Sequence, residues 1–409
     1  MRRRVIVIGA GAAGLMAAGK AAERGLDVLV LEKNDKPGRK LRISGKGRCN
    51  ITNDTDIDGL IQNIPGNGSF LYSSFYTFSN EDIMQFFTDE GLELKVERGG
   101  RVFPVSDDAK DVVSVLVRHA VESGAEIRYR SPASSIEVSN GAVKGVKLKN
   151  DETIECDSVI LATGGESYPG TGSTGDGYRM AQKLGHTVTP LRPSLVPLVS
   201  SEKWVRDLQG LTLKNISITL YDRQRKKIYN DFGEMLFTHF GVSGPVILSA
   251  SRHIMQYDYR NVFLSIDLKP ALSPEVLDSR IQRDFEKYSR KQFKNSLDDL
   301  LPKKMIPVIV ELSQIPADKP VNQITKAERR SLASLLKGLT LEICGSRPIS
   351  EAIVTAGGVS TDEIDPATME SKLVKGLFFA GEVIDVDGYT GGFNLTIAFS
   401  TGCVAGLNC

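Results

Sequence analysis

No uninterrupted apolar stretch in the chain approaches the roughly 18 residues that a membrane-crossing helix needs. The start is basic, MRRR, but residues 5–8 are the only apolar run before the first glycine, too short for the core of a signal peptide. The five cysteines, Cys49, Cys156, Cys344, Cys403 and Cys409, form no C-x-x-C pair and no secreted disulfide framework. These shortages argue against a membrane span and a disulfide scaffold; a reduced, cytoplasmic protein without a metal site is expected. Excess charge of one sign is lacking too: 51 Lys and Arg stand against 50 Asp and Glu, so net charge gives no reason to expect nucleic acid or a membrane as partner. Internal repeats are absent. At 409 residues the chain is long for one core, so two or three domains are expected.

What is present begins with VIVIGAGAAGLMAAGKAAERGLDVLVLE, residues 5–32. Residues 5–8 are apolar and mostly β-branched, as in a parallel strand buried on both faces. Gly9, Gly11 and Gly14 then supply G-x-G-x-x-G: a tight turn, a close backbone approach to a pyrophosphate, and close helix–strand packing. An Ala-rich run over 15–24 predicts a helix ended by Gly25. Asp27–Leu31 predicts a second strand, and Glu32 stands eighteen positions past Gly14, where a carboxylate accepts from ribose hydroxyls. Strand, turn, helix, strand and acid in this order predict an adenine dinucleotide site.

Residues 33–53 follow as a polar loop rich in glycine and in Lys33, Lys36, Arg39, Lys40, Arg42 and Lys46, suited to a diphosphate. Its end, with Gly45, Arg48, Cys49 and Asn50, is expected to line a ring edge, with Cys49 packed or facing a cofactor rather than acting as a redox thiol. A helix over 80–90, an extended pair within 95–103 and an amphipathic helix after Ser106 come next. His119 is expected on the surface of that last helix rather than as a ligand. Strands over 126–129, 134–138, 143–148 and 153–155 follow, with the Ala133 backbone placed to meet an adenine. Strand 157–162 ends in Thr163-Gly164-Gly165, a second close approach to a cofactor. Before the helix at 177–184, Thr171, Ser173 and Thr174 offer donors to an anionic or carbonyl-bearing ligand.

From 188 to 268 the pattern changes to short strands, a small antiparallel unit in which His239 lies among aromatics before a Gly-Val-Ser-Gly-Pro helix start. Residues 270–341 read as helices, with a capped start at Ser273-Pro274-Glu275 and an amphipathic run over 326–337. Residues 350–359 and 377–380 return to strands. The closing stretch carries Glu382, Gly388, Gly391 and Gly392 before a helix at 394–407, which implies a dinucleotide fold closed by its C-terminal strand.

The blocks GxGxxG with Glu32, GKGRCNITN at 45–53, ATGG at 162–165, TGSTGDGY at 171–178, FTHFGVSGP at 237–245 and FAGEVIDVDGYTGGFN at 379–394 resemble the BaiN/RdsA (HI0933-like) family of NAD(P)/FAD-dependent oxidoreductases over essentially the whole chain. The resemblance implies an α/β fold: a Rossmann-type, glutathione-reductase-like FAD-binding domain (1–189 and 351–409) with an inserted antiparallel β-barrel domain (190–269 and 342–350) and an α-helical domain (270–341). It implies that Gly9, Gly11, Ala13 and Gly14 hold the FAD pyrophosphate and Glu32 the adenosine ribose. Lys33, Arg39 and Lys40 would neighbour the phosphates, and Ala133 the adenine. Gly381 and Glu382 would meet the ribityl chain. Gly392, Phe393 and Asn394, at a helix N-terminus that favours the negative charge of a reduced flavin, would meet its pyrimidine edge. The same blocks bring Ser44, Gly45, Gly47, Arg48, Cys49, Asn50, Thr163, Gly164, Gly165, Asp385 and Gly391 into the expected site.

Family members include reductases of the double bonds of 3-oxo bile acids and an aminoacetone oxidase. The favoured reading is an ene-reductase of a small, apolar 3-oxo-4-ene or 4,6-diene steroid-type substrate. The alternatives are a flavin amine oxidase using dioxygen and a flavoprotein binding FAD without catalysis. NAD(P)H is the expected electron donor, docking transiently, since no dedicated nicotinamide-binding domain is visible between Ser167 and Pro348. Tyr168 and His239 are the candidate catalytic residues, with Tyr389 and Cys49 behind them. The oligomeric state stays open.

Overall fold

The β-branched run behind the N-terminus forms β1 (Arg4–Ile8), the central strand of a five-stranded parallel sheet in the computed structural model, which describes residues 2–409. β2 (Asp27–Leu31) lies on one side in register Ile8 with Leu31, and Ser158–Leu161 on the other in register Ile8 with Leu161. Glu126–Arg128 and Leu377–Phe379 complete the two edges, so the C-terminal strand does close the sheet. Val5, Ile6 and Val7 are fully buried, as a strand covered on both faces requires.

Between β1 and β2 runs α1 (Ala12–Glu23), which packs on the C-terminal helix Phe393–Asn408. Small residues let the two backbones approach. A Cβ at Gly402 would lie 2.4 Å from the Ala13 carbonyl oxygen, and one at Gly406 2.5 Å from that of Ala17. The C-terminal helix is buried on nearly every side, which accounts for its having no polar stripe. Ala109–Glu122 covers α1 from another direction. His119 on that helix is buried rather than on the surface. Its Nδ1 lies 2.9 Å from Glu90 Oε1, its ring meets Phe86 edge-on, and a Cβ at Gly19 would fall 2.3 Å from its Cδ2. A histidine was accommodated here because a glycine and a carboxylate make room and supply a partner.

Residues 2–194 and Ile349–Cys409 form the compact unit built on this sheet, and Leu195–Pro348 form a second. The first also holds the antiparallel layer Ala133–Ser139, Ala142–Leu148 and Thr153–Glu155, and a smaller one of Thr52–Asn53, Arg101–Pro104 and Leu94–Glu97. Of the expected strand over 350–359 only Val354–Ala356 is extended, paired antiparallel with Arg192–Ser194.

The second unit contains a seven-stranded antiparallel sheet. Its end strands, Leu339–Ile343 beside Val262–Asp267 and Gly345–Ser346 beside Leu198–Val199, are separated in sequence only by Cys344, so one stretch of chain closes the sheet into a barrel. Two of its strands, Thr212–Tyr221 and Lys227–Phe237, are longer than the turn-punctuated sequence suggests. Ile216, Ile218 and Leu220 alternate into the core. The same unit carries helices Pro245–His253, Pro274–Lys287, Ile306–Ser313 and Lys326–Lys337. Ser273 caps the second, and a Thr325/Glu328 capping box starts the last.

Candidate functional site

The three glycines of the first turn do three different things. Gly9 has φ 108°, and a Cβ there would sit 2.5 Å from the Ala162 carbonyl oxygen on the neighbouring strand. A Cβ at Gly14 would lie 1.9 Å from the Gly9 oxygen, so the helix meets the strand in full backbone contact. Gly11 is the opposite case: it lines a cavity, and a Cβ placed on it meets nothing within 4 Å. The open space lies where the N-terminus of α1 ends, with its N–H groups that have no acceptor within the helix.

Glu32, at the end of β2, is buried and lines the same cavity. Its carboxylate accepts from the Ala10 N–H at 2.9 Å, the Asn34 N–H at 2.8 Å and the Asn34 side-chain amide at 2.7 Å, which fixes its direction and leaves acceptor capacity for hydroxyl groups. Around it stand Asn34, Ser131, Pro132 and Ala133. Lys33 donates to Thr174 Oγ1 and to Asp176, tying the polar loop to the start of helix Asp176–Lys183. Thr171, Gly172 and Ser173 join the lining.

Arg39 and Lys40 also line the cavity, but their charges have partners in the protein. Arg39 pairs with Asp35 at 2.6 Å on the surface. Lys40 Nζ donates to Glu382 Oε2 at 2.7 Å and to Ser167 Oγ at 2.6 Å. The site therefore contains an ion pair, Lys40 with Glu382, from blocks more than 300 residues apart. Behind it, burial and then the Glu382 charge hold the Tyr178 phenol well above its ordinary pKa, so it stays a neutral donor; its hydroxyl lies 3.1 Å from the Glu382 carbonyl oxygen.

At the far wall stand Thr163, Gly164, Gly381, Asn394, Ile397 and Ala398. Asn394 braces the preceding loop: its amide donates to the Gly388 and Tyr389 carbonyls at 2.7 and 3.2 Å, and its oxygen accepts from the Gly388 N–H at 2.9 Å. A Cβ at Gly392 would fall 2.3 Å from the Thr52 oxygen, while the Phe393 ring lies against Gly391.

Thus Gly9, Gly11, Ala13, Glu32, Lys33, Arg39, Lys40, Ser44, Ala133, Thr163, Gly164, Gly381, Glu382 and Asn394 share one cavity. Gly14, Gly45, Gly47, Arg48, Cys49, Asn50, Gly165, Asp385, Gly391, Gly392 and Phe393 do not line it. Gly14, Gly165 and Gly392 serve the close packing of its walls. Arg48 turns to Glu97 and Asp107 and covers the Phe103 ring at 4.1 Å. Cys49 is fully buried, and burial pushes its thiol up to about 12, which removes the thiolate a redox role needs. Asn50 Oδ1 is buried with no hydrogen-bond partner among the described residues. Asp385 is held through its backbone, between the Val359 oxygen and the Asn67 amide.

Tyr168 sits on a turn with φ 52° and is 38 % exposed. His239 belongs to the second unit, exposed on the tight turn where the Thr238 N–H donates to the Gly241 oxygen. The apolar residues around it, Met235, Phe237, Val242 and Val246, are used up in that unit's core, so the stretch does not present the apolar surface its composition suggests. Ile353 and Val354 line the cavity and carry no motif. Only their position on the ribbon beside Arg192–Ser194 brings them there.

A family model described as the HI0933-like protein Rossmann domain matches residues 3–408. The chain is 32 % identical to the 3-dehydro-bile acid delta(4,6)-reductase of Clostridium scindens, covering 98 % of each chain. It is 34 % identical to the ribosomal RNA dihydrouridine synthase of Haemophilus influenzae, over 98 % of this chain and 97 % of the relative. Among solved structures, the 3-ketosteroid delta1-dehydrogenase of Sterolibacterium denitrificans shares the fold, with a TM-score of 0.54 at 14 % identity over 98 % of each chain.

Proposed function

The chain belongs to the HI0933-like family of flavin-dependent oxidoreductases, and from that premise we propose that it binds FAD in the cavity around Gly11 and reduces a carbon–carbon double bond conjugated to a carbonyl, with NADH or NADPH as electron donor. One observation carries the cofactor: Gly11 opens on empty space at the N-terminus of α1 while Gly9 and Gly14 are packed to the limit, the arrangement a diphosphate needs. Glu32 supports the ribose assignment with a carboxylate already aimed by Ala10 and Asn34. When bound, FAD supplies the hydride transfer; the chain's residues bind it, exclude water and place a proton donor.

The relatives support the reaction class. A delta(4,6)-reductase of a 3-dehydro bile acid and a dihydrouridine synthase both have names that describe saturation of a double bond, and in each substrate that bond is conjugated to a carbonyl. Tyr168 and His239 are the proposed proton donors.

The steroid-type enone is the first substrate reading. A second, a uracil base in RNA, is favoured by one feature of the sequence that the balanced total conceals. Leu195–Pro348 carries 24 Lys and Arg against 17 Asp and Glu, whereas the rest of the chain carries 27 against 33. A basic unit in a chain whose remainder is acidic suits an anionic polymer better than a small steroid acid. The test is to reduce the purified yellow protein anaerobically with NADH or NADPH and then add a 3-oxo-4-ene bile acid, deproteinised ribosomal RNA, or air. Rapid reoxidation by the steroid or the RNA, with the saturated product detected by mass, supports the corresponding reading. Reoxidation by air alone, after reduction by a primary amine, overturns both in favour of an oxidase.

A further inference from the structure

Thr355 lies on the strand Val354–Ala356, where the sequence shows no cofactor motif, and is fully buried. Its hydroxyl oxygen accepts from two successive backbone groups, the Glu166 N–H at 2.9 Å and the Ser167 N–H at 3.1 Å. Its own N–H donates to Glu382 Oε1 at 2.8 Å. Ser167 Oγ lies 3.1 Å from the same Glu382 oxygen, and Lys40 bridges Ser167 to the other one. The contact is close enough to dictate a neighbour's identity: a Cβ on Gly165 would lie 2.4 Å from Thr355 Oγ1 and 3.0 Å from Glu382 Oε1.

One threonine thus joins the turn leaving strand Ser158–Leu161, the Glu382 carboxylate and, through Ser167, Lys40. The turn it holds continues directly into Tyr168, whose left-handed backbone is a conformation that persists only where the surroundings impose it. We propose that Thr355 is a positioning residue for the FAD site: its hydroxyl holds the 166–168 turn so that Ser167 and Lys40 keep Glu382 aimed into the cavity. This rests on the FAD reading above.

The replacement Thr355→Val keeps the shape and removes the acceptor, leaving the buried Ser167 N–H and the part-buried Glu166 N–H without that partner. Thr355→Ser restores the acceptor. Apoprotein titrated with FAD is expected to show at least tenfold weaker binding and an altered visible flavin spectrum for Thr355→Val. Thr355→Ser should stay within threefold of wild type with the wild-type spectrum. In a cycle with Glu382→Gln, the two changes should be less than additive, since each disrupts the same arrangement. If Thr355→Val melts earlier but binds FAD with wild-type affinity and spectrum, the residue is structural only and the proposal falls. If Thr355→Val does not fold, Gly165→Ala, which presses on the same oxygen from the other side, should weaken FAD binding, and wild-type affinity there would overturn the proposal. Wild-type protein that binds no FAD refutes the FAD reading itself, a result distinct from either.

Discussion

Gly11 and Gly14 stand three residues apart in one motif, yet replacing them should fail in different ways. Gly11 has φ −89° and ψ −168°, extended backbone open to any residue, and its Cβ would enter space with no atom within 4 Å. In the absence of FAD, Gly11→Val should therefore change stability by no more than about 0.5 kcal/mol, helped by the lower entropy of the unfolded chain. With FAD the same side chain occupies the place of the diphosphate. At a concentration of 100 Kd the cofactor stabilises wild type by about 2.7 kcal/mol, and the variant should gain none of this. Gly14→Ala puts a carbon 1.9 Å from the Gly9 oxygen, a backbone atom that cannot step aside, so it should lose about 1–3 kcal/mol with or without cofactor. Thermal unfolding with and without FAD, together with the 450 nm absorbance retained after gel filtration, reads both effects. A yellow Gly11→Val protein with wild-type FAD content would refute the placement of the diphosphate. A Gly11→Val protein as unstable as Gly14→Ala without cofactor would refute the open space.

Glu32→Arg should release FAD, because it removes the ribose acceptor and leaves the buried Ala10 N–H unpaired, a loss of about 1–3 kcal/mol that heat-released cofactor and a denaturant midpoint would show. Burial raises the thiols of Cys49, Cys156 and Cys403 from 9.0 to about 12 and that of Cys409 to about 11. The unfolded chain releases these protons near pH 9 and the folded chain does not, so stability should be intact below pH 9 and fall as the pH rises from 9 towards 12. Denaturant midpoints across that range check the sign, and a flat profile would contradict it. Alkylation of native protein at pH 8 should mark the exposed Cys344 and spare Cys49. His239→Ala and Tyr168→Phe should each lower turnover with an enone acceptor at unchanged FAD content, and wild-type turnover in both would remove them as proton donors.

The nucleotide-binding turn was legible in the sequence because its causes are local. Gly9, Gly11 and Gly14 follow a β-branched strand and precede an Ala-rich helix, and each of those preferences acts within a few residues. The capped helix at Ser273 and the capping box at Thr325 and Glu328 were readable for the same reason. The barrel's closure was not, since it depends on strands from 198 and 339–346 meeting across most of the second unit, and no local pattern records which distant strands pair. Nor could spacing reveal that Arg48 would be taken by Glu97 and Asp107, that Lys40 would pair with Glu382, or that His119 would be buried against Gly19. Where a charge goes is decided by which opposite charge the fold brings near it. By itself the sequence determined the dinucleotide turn, the parallel sheet around it and the acid that ends β2, because short-range sterics and hydrogen bonding suffice for them. Only the tertiary structure decided that Ile353 and Val354 line the cavity and that Thr355 holds Glu382 beside it, because the strand Val354–Ala356 is placed by antiparallel pairing with residues 192–194, a contact more than 150 positions away.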